Sequence, residues 1–576
     1  MFLRHKFKII FLGLLLLSSP FFVSADYSGQ KVNFSVNSDY DVSGRSQLQA
    51  TLRKITPKIY FYIDDNWWGS LTNEQQNKID IALSALTSEF EYKIYPILTA
   101  TFGSEPKPGI DKDEHITILI HPMIENAGGY FLEGDIYPKL QFTGSNEREM
   151  IYLNADQIDK TIAKSLLAHE FMHLITENQK NIIRKVSEET WLNEARSEYA
   201  STLVGYDLEY EGSNLQKRAR NFLDRPYDSL TDWQGKPFDY GVVNLFVQYL
   251  TEQYGIEILI DSLQSSQVGI PSINEALQKR GFKEDFPQVF KDWTVAVFIN
   301  DCNVSEKYCY KDKNLKDLRV IPTGNFLPLS GKSNLSSTYS ALNWSGNWYK
   351  FVGGWGTLKI VFSGDAKNIF SIPYVTQDVA GNLQVGYLNL DENNNGEVLI
   401  PDFRSKTYSI TIIPSVRTKI SGFDDEEMPV SFSWTASVGG NNGENNGGSN
   451  EAKLIQQLLA QIAQLQAEIA KVQSQINAIL GGNGQNYSCQ GFSGDLYFGM
   501  MNSNEIRCLQ EFLKSQGTEI YPEGLITGNF LDATRSAVIK FQEKYASEIL
   551  APLGLETGSG FVGLKTRLKI NQLLGY

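Results

Sequence analysis

One stretch constrains this chain more than any other. Residues 439–450 read GGNNGENNGGSN and hold no apolar side chain. Such a run cannot enter a core, and its glycines leave the backbone free, so it reads as a flexible linker. The segments on its two sides must fold separately. A second break of the same kind, GGNGQN at 481–486, comes soon after. With 576 residues, 42% of them hydrophobic and 20% charged, most of the chain is expected to fold, as three or four domains at ~150 residues each.

Between the two breaks, Ile455, Leu458, Ile462, Leu465, Ile469, Val472, Ile476 and Ile479 recur in alternating steps of three and four. That is a heptad seam. Its flanks are mostly Gln and Ala. The expectation over 451–480 is a short coiled-coil helix that pairs copies of the chain into a homo-oligomer. A lone amphipathic spacer helix is the alternative.

Residues 320–438 change character. Short β-rich runs, such as 357–362, 408–413 and 430–434, are separated by turn clusters, the pattern of a β-sandwich domain. One turn contains Asp391, Asn393, Asn395 and Gly396, with Asp402 twelfth. This spacing opens a calcium loop, so Ca2+ at Asp391, Asn393 and Asn395 is a candidate. The full pattern wants Glu at the twelfth position and flanking helices. Strands flank it here, which favours a plain hairpin turn.

The first 25 residues read as a secretory signal peptide: Arg4, Lys6 and Lys8, an apolar run at 9–17, and Val23-Ser24-Ala25 as a cleavage site. No later run is apolar enough to cross a bilayer, so no membrane partner is expected after cleavage. The formal charge is -14, which makes nucleic acid a poor partner. All four cysteines lie in the exported part. Short loops close easily, so Cys302 is expected to pair with Cys309 and Cys489 with Cys508. Such small disulfides fit an oxidising compartment.

Residues 26–319 mix strands and helices, an α+β order with the long helices late. Within a helical run at 162–176 stands His169-Glu170-Phe171-Met172-His173. Histidines four apart share one helix face, so both imidazoles can reach one metal. Glu170, one position along, can act as general base on an attacking water. A third ligand is needed. Thr176 and Gln179 stand where a metzincin would have Gly and His. Glu194, in the run Trp191-Leu-Asn193-Glu194-Ala-Arg-Ser-Glu198-Tyr199, lies far enough on for the chain to turn back. Glu188 or Glu189 is the alternative. Glu198 is one turn beyond Glu194, placed to hold a ligand histidine's other nitrogen. His115 and His121 flank a strand and read as structural.

H-E-F-M-H followed by N-E-A-R-S-E-Y resembles the gluzincin metallopeptidases, the thermolysin-like group. The resemblance implies a zincin catalytic domain with one Zn2+ on His169, His173 and Glu194, and Glu170 as catalytic base. Asn193 and Glu198 fall in the second helix of that pattern. Gly128-Gly129-Tyr130-Phe131, residues 151–154, and Tyr240-Gly241 before 246–250 are similar to hyicolysin-like secreted peptidases. Thermolysin-like enzymes use a distal His to stabilise the oxyanion. No histidine follows His173, so Tyr240 becomes the candidate catalytic donor.

Residues 487–576 repeat a helix, a Gly-rich turn and a helix. Leu509-Gln510, Val538 to Gln542, and the turns at 524–530 and 560–566 resemble the small three-helix peptidoglycan-binding domain of secreted hydrolases. The implied protein is multidomain. It is a secreted endopeptidase of the bacterial cell wall or surface, with protein or peptide substrates and peptidoglycan as its anchor. A peptidoglycan cross-bridge hydrolase and a non-catalytic wall-binding scaffold are the alternatives.

Overall fold

The computed structural model describes residues 25–439, apart from 126, 329–331 and 424–427. It also describes residues 489–575, apart from 490, 493, 495, 499, 501–502, 523, 554 and 556. Residues 1–24 of the signal peptide expected at 1–25, residues 440–450 and 481–486 of the expected linkers, and the coiled coil expected at 451–480 lie outside the described residues. The chain is multidomain, with mixed helices and sheets, and divides between Asn442 and Gly443 into two compact units.

The first unit opens on a six-stranded sheet. Its strands are β1 (Lys31–Ser35), β2 (Gln47–Ile55), β3 (Ile59–Asp64), β4 (Ile116–His121), β5 (Gly129–Tyr130) and β6 (Met150–Asn154), ordered β1-β2-β3-β4-β6-β5. β3, β4 and β6 are parallel and buried along their whole length. Continuous apolar runs such as Ile-Thr-Ile-Leu-Ile are what a strand covered on both faces requires. β5 runs antiparallel at the edge. β1 and β2 have no clear sequence signal, since exposed, half-buried and buried residues are mixed along them.

Helices α1 (Asp65–Ser70), α2 (Asn73–Glu89) and α3 (Tyr95–Phe102) cross between β3 and β4. α2 starts at a capping box in which Thr72 and Gln75 satisfy each other's backbone N–H. Its stripe of Ile79, Leu83 and Leu86, continued by Phe90 and Ile94, is buried. Beyond the sheet come α4 (Ala163–Glu177), α5 (Thr190–Val204), α6 (Asn214–Asp224), α7 (Pro237–Tyr254), α8 (Glu257–Gln264), α9 (Gly269–Lys279) and α10 (Phe286–Ile299).

Two local devices bring the helices to the right places. Lys180 is buried where the chain turns from α4 toward α5. Its Nζ donates to the carbonyls of Ser262 and Gln267 at 2.7 and 2.6 Å and lies 3.3 Å from Glu188. Gly241 sits on α7 against the backbone of α6. A Cβ there would lie 2.5 Å from the Phe222 nitrogen. Only glycine lets these two helices touch backbone to backbone.

Nine strands between Thr323 and Val438 form one sheet with two arms. In one arm Val430–Val438 pairs with Ser333–Ala341 and Gly356–Gly364. In the other, Thr407–Ile412 pairs with Pro373–Asp378 and Tyr349–Gly353. The arms join through Phe403 and Thr407, and their inner faces share a core of Phe351, Phe362, Ile410, Phe432 and Trp434. Trp344, Trp348, Val375, Ile413 and Phe423 pack instead with the helical core. Cys302 and Cys309 are disulfide-bonded.

The calcium considered as a candidate at Asp391, Asn393 and Asn395 finds no support. Asp391 Oδ1 accepts from the backbone N–H of Asn393 and Asn395 at 2.9 and 2.8 Å. The carboxylate is turned onto the chain. Asp402 pairs with Lys406 at 2.8 Å. Nor is the turn a hairpin: the strand before it, Leu383–Tyr387, pairs with Pro373–Asp378.

The second unit holds helices at Asn504–Ser515, Asp532–Lys544 and Leu564–Leu574, with a short one at Ala546–Ile549. Cys489 is bonded to Cys508. A glutamine brackets each Gly turn. Gln510 accepts from the Thr527 and Gly528 N–H and donates to Asn529 O and Thr534 Oγ1. Gln542 repeats the arrangement with Gly560 N–H, Phe561 O and Thr566 Oγ1. The two halves are one motif used twice.

Candidate active site

α4 and α5 lie side by side and bring six of the sequence-nominated side chains together. Glu194 Oε2 is 3.3 Å from His169 Nε2 and 3.6 Å from His173 Nε2. The two imidazole nitrogens are 3.1 Å apart. A tetrahedral zinc with ligands at about 2.0–2.1 Å needs those ligand atoms about 3.3–3.4 Å from one another. The triangle has that size.

The outer nitrogens fix the tautomers. His173 Nδ1 faces Asn193 Oδ1 at 3.1 Å and Ser197 Oγ at 3.1 Å. His169 Nδ1 faces a carboxylate oxygen, Glu198 Oε1, at 3.5 Å. Acceptors at both Nδ1 positions hold the protons there and leave both Nε2 lone pairs pointing inward. Glu194 Oε2 is buried and receives no hydrogen bond. With a proton on each Nδ1, the three inward atoms could together hold a divalent cation. His169, Glu170 and His173 also offer ligand atoms within 4.8 Å of one another. Glu194 is nearer than that to both imidazoles, so it closes the triangle and Glu170 stands beside it.

Glu170 is buried. Burial raises its carboxyl, the two imidazoles work the other way, and the Glu194 and Glu198 charges raise it further. The net shift is upward, toward a better proton acceptor. Edge strand β5 passes close by: a Cβ on Gly129 would sit 3.0 Å from Glu170 Oε1 and 2.6 Å from Tyr152 O. Phe131 stacks over His173 at 6.4 Å.

Behind the triangle, Glu198 is fully enclosed. Burial alone would raise its carboxyl, but Arg218, His169 and Asn214 together hold it below the usual range. Arg218 donates to both oxygens at 2.9 and 2.6 Å. Asn214 and Asn244 add bonds at 2.8 and 3.1 Å. Arg218 also lies 4.4 Å from the Tyr240 ring centroid. Tyr240 is tilted 6.4 Å from the His169 ring and meets Trp233 edge-on at 4.8 Å. The Glu194 charge first, then burial, push the Tyr240 phenol upward, so it stays a donor.

Other nominated residues fall elsewhere. Glu188 pairs with Lys180 and Arg196, and Glu189 accepts from Trp191 Nε1 at 2.7 Å. His115 stacks on Tyr60 at 4.1 Å beside Asp113. His121 is buried between Asp41 and Tyr130, 3.2 Å from each. Residues without a sequence signal are Arg218, Asn214, Asn244 and Tyr40. Burial, then the Glu194 and Glu170 charges, raise the Tyr40 phenol, which puts it within electrostatic reach of the site.

No family model matches the chain. Among curated proteins, it is similar to the neutral metalloprotease ShpI of Staphylococcus hyicus. The two are 26% identical over 244 residues, 38% of this chain and 51% of that protein. The chain therefore matches about half of that relative's length, which supports a metallopeptidase family at most. Among solved structures, the pre-peptidase C-terminal domain of a Bacillus anthracis collagenase is 11% identical. It covers 20% of this chain and 96% of that one, with a TM-score of 0.14. The Yersinia pseudotuberculosis-derived mitogen is 8% identical over 20% of this chain and 91% of that one, also at 0.14. At such TM-scores neither carries an argument.

Proposed function

We propose that the chain is a secreted, zinc-dependent endopeptidase tethered to the bacterial cell wall by its C-terminal unit. The observation that carries the catalytic part is the triangle of His169 Nε2, His173 Nε2 and Glu194 Oε2, closed by nitrogen, nitrogen and carboxylate oxygen at zinc-ligand spacing. Those three residues would hold the ion. A zinc ion bound there supplies Lewis-acid polarisation of the scissile carbonyl and acidifies the attacking water.

The chain's own residues do the rest. Glu170 accepts the proton of the attacking water and passes it to the departing amine. Tyr240, kept protonated by the Glu194 charge and by burial, donates a hydrogen bond to the carbonyl oxygen as negative charge develops on it. Glu198, locked by Arg218, fixes the ring of His169; Asn193 and Ser197 fix that of His173. Gly129 keeps the edge strand close enough to Glu170 for an extended peptide to lie along it.

Metal analysis tests the ligand set. The wild-type chain is expected to carry one zinc, and His173→Ala to lose it. Zinc retained at the wild-type level would remove the assignment. The wall reading rests on the resemblance of residues 487–576 and on their doubled helix-turn motif. Full-length protein should co-sediment with purified sacculi, and a chain ending at residue 486 should not. Equal sedimentation of both would reject the anchor.

A further inference from the structure

A cavity of about 170 Å³ lies against the active-site helices, lined by Glu189, Thr190, Trp191, Thr231, Trp233 and Phe423. Three parts of the first unit meet there: the start of α5, the segment before α7, and the strand-region segment that carries Phe423. Their positions are fixed by hydrogen bonds. Gly422 N–H donates to Glu189 Oε1 at 3.0 Å and Trp191 Nε1 to Glu189 Oε2 at 2.7 Å. Leu230 N–H donates to Trp344 O at 2.9 Å, and Trp344 Nε1 to Lys419 O at 2.6 Å. Two ring contacts connect the cavity to the metal ligands: Trp233 on Tyr240, and Tyr240 beside His169.

Among the described residues the lining is three aromatic side chains, two threonines and a carboxylate, with no basic side chain. The Phe423 ring already faces one cation from outside the lining, Lys419 Nζ at 5.3 Å. Aromatic faces beside a carboxylate recognise an ammonium or guanidinium through cation–π and ionic attraction together. An acidic group entering here would meet like charge. We propose that this cavity receives a lysine or arginine side chain of the substrate polypeptide, next to the bond that is cut. The inference rests on the peptidase reading above and names a determinant of its specificity.

Full-length protein would be assayed on quenched peptides that differ at one position on either side of the scissile bond, carrying Arg, Lys, Leu or Asp. At one position the basic peptides should exceed Leu in kcat/KM by about tenfold or more, with Asp lowest. Thr190 is on the exposed rim, so a charge placed there leaves the core alone. Thr190→Lys should lower kcat/KM for the Arg peptide about tenfold more than for the Leu peptide, and Thr190→Glu should shift the ratio the other way. Phe423→Leu, checked for unchanged melting and zinc content, should weaken KM for basic peptides more than kcat. If wild type cuts none of the peptides, the peptidase reading falls and takes this inference with it. If it cuts them but prefers Leu, or the Thr190 variants leave the ranking unchanged, the cavity does not take a basic side chain while the peptidase reading stands.

Discussion

At α4 and α5 the polar atoms of His169, His173 and Glu194 turn toward one another; at the Asp391 turn they turn toward the backbone. Both places have donor residues at metal-like spacing. In the helices, every backbone N–H inside α4 and α5 is already bonded within its own helix. The side chains there have nothing local to satisfy and project to a common point, where Glu194 Oε2 is left without a hydrogen bond. In the turn, free backbone N–H groups compete for the same lone pairs. Asp391 answers them through Asn393 and Asn395, as Asp commonly does in turns. Spacing nominates ligands; what the backbone leaves unsatisfied decides which of them point at a metal.

The sharpest way to break this comparison is to change the group beside the triangle without changing its shape. Glu170→Gln keeps the side chain's size and hydrogen-bonding outline but removes proton acceptance at neutral pH. Peptide hydrolysis should fall by roughly 10²–10⁴-fold or more, while zinc content and melting stay at wild-type values. Near-normal turnover with zinc bound would show that Glu170 is not the base.

Next in size is the donor for the oxyanion. Removing one such donor typically costs about 10²–10³ in kcat, and Tyr240→Phe should cost that much with the ring's contacts to Trp233 and Arg218 intact. The contrast with Tyr40 sharpens the test. Tyr40 stacks on Tyr130 at 4.9 Å and also responds to the Glu170 and Glu194 charges. If Tyr240→Phe stays within about twofold of wild type and Tyr40→Phe does not, the donor comes from the N-terminal side of the site.

How much of this can be read from the sequence obeys the same divide. His169, Glu170, His173, Glu194, Glu198 and Asn193 are legible because a helix repeats every 3.6 residues, so spacing alone places them on one face. The central strands β3, β4 and β6 are legible because burial on both faces makes them continuously apolar. Arg218, Asn214 and Asn244 are not. They reach Glu198 from α6 and α7, and only the packing of those helices, through the bare backbone at Gly241, brings them there. β1 and β2 escape a sequence reading because their alternation is weak. The shared core of Trp344, Trp348 and Phe423 with the helices carries no local signature either, since it joins segments far apart in the chain.

The smallest expected effect belongs to the turn. Asp391→Ala removes an acceptor for two backbone N–H groups in an exposed loop. Each such bond is worth about 0.5–1.5 kcal/mol at most, and water can replace the acceptor, so the loss should be at the low end, about 1 kcal/mol in denaturant unfolding of the first unit. Calcium should leave wild type and variant unchanged, because the carboxylate is already committed to the chain and Asp402 is drawn to Lys406. Zinc removal should behave in the opposite way, lowering the melting temperature, because His169, His173 and Glu194 converge on one point rather than on the backbone. A calcium-dependent rise in melting that disappears in Asp391→Ala would show that a cation can outcompete the Asn393 and Asn395 N–H groups. The rule drawn from comparing the two places would then fail at its weaker end.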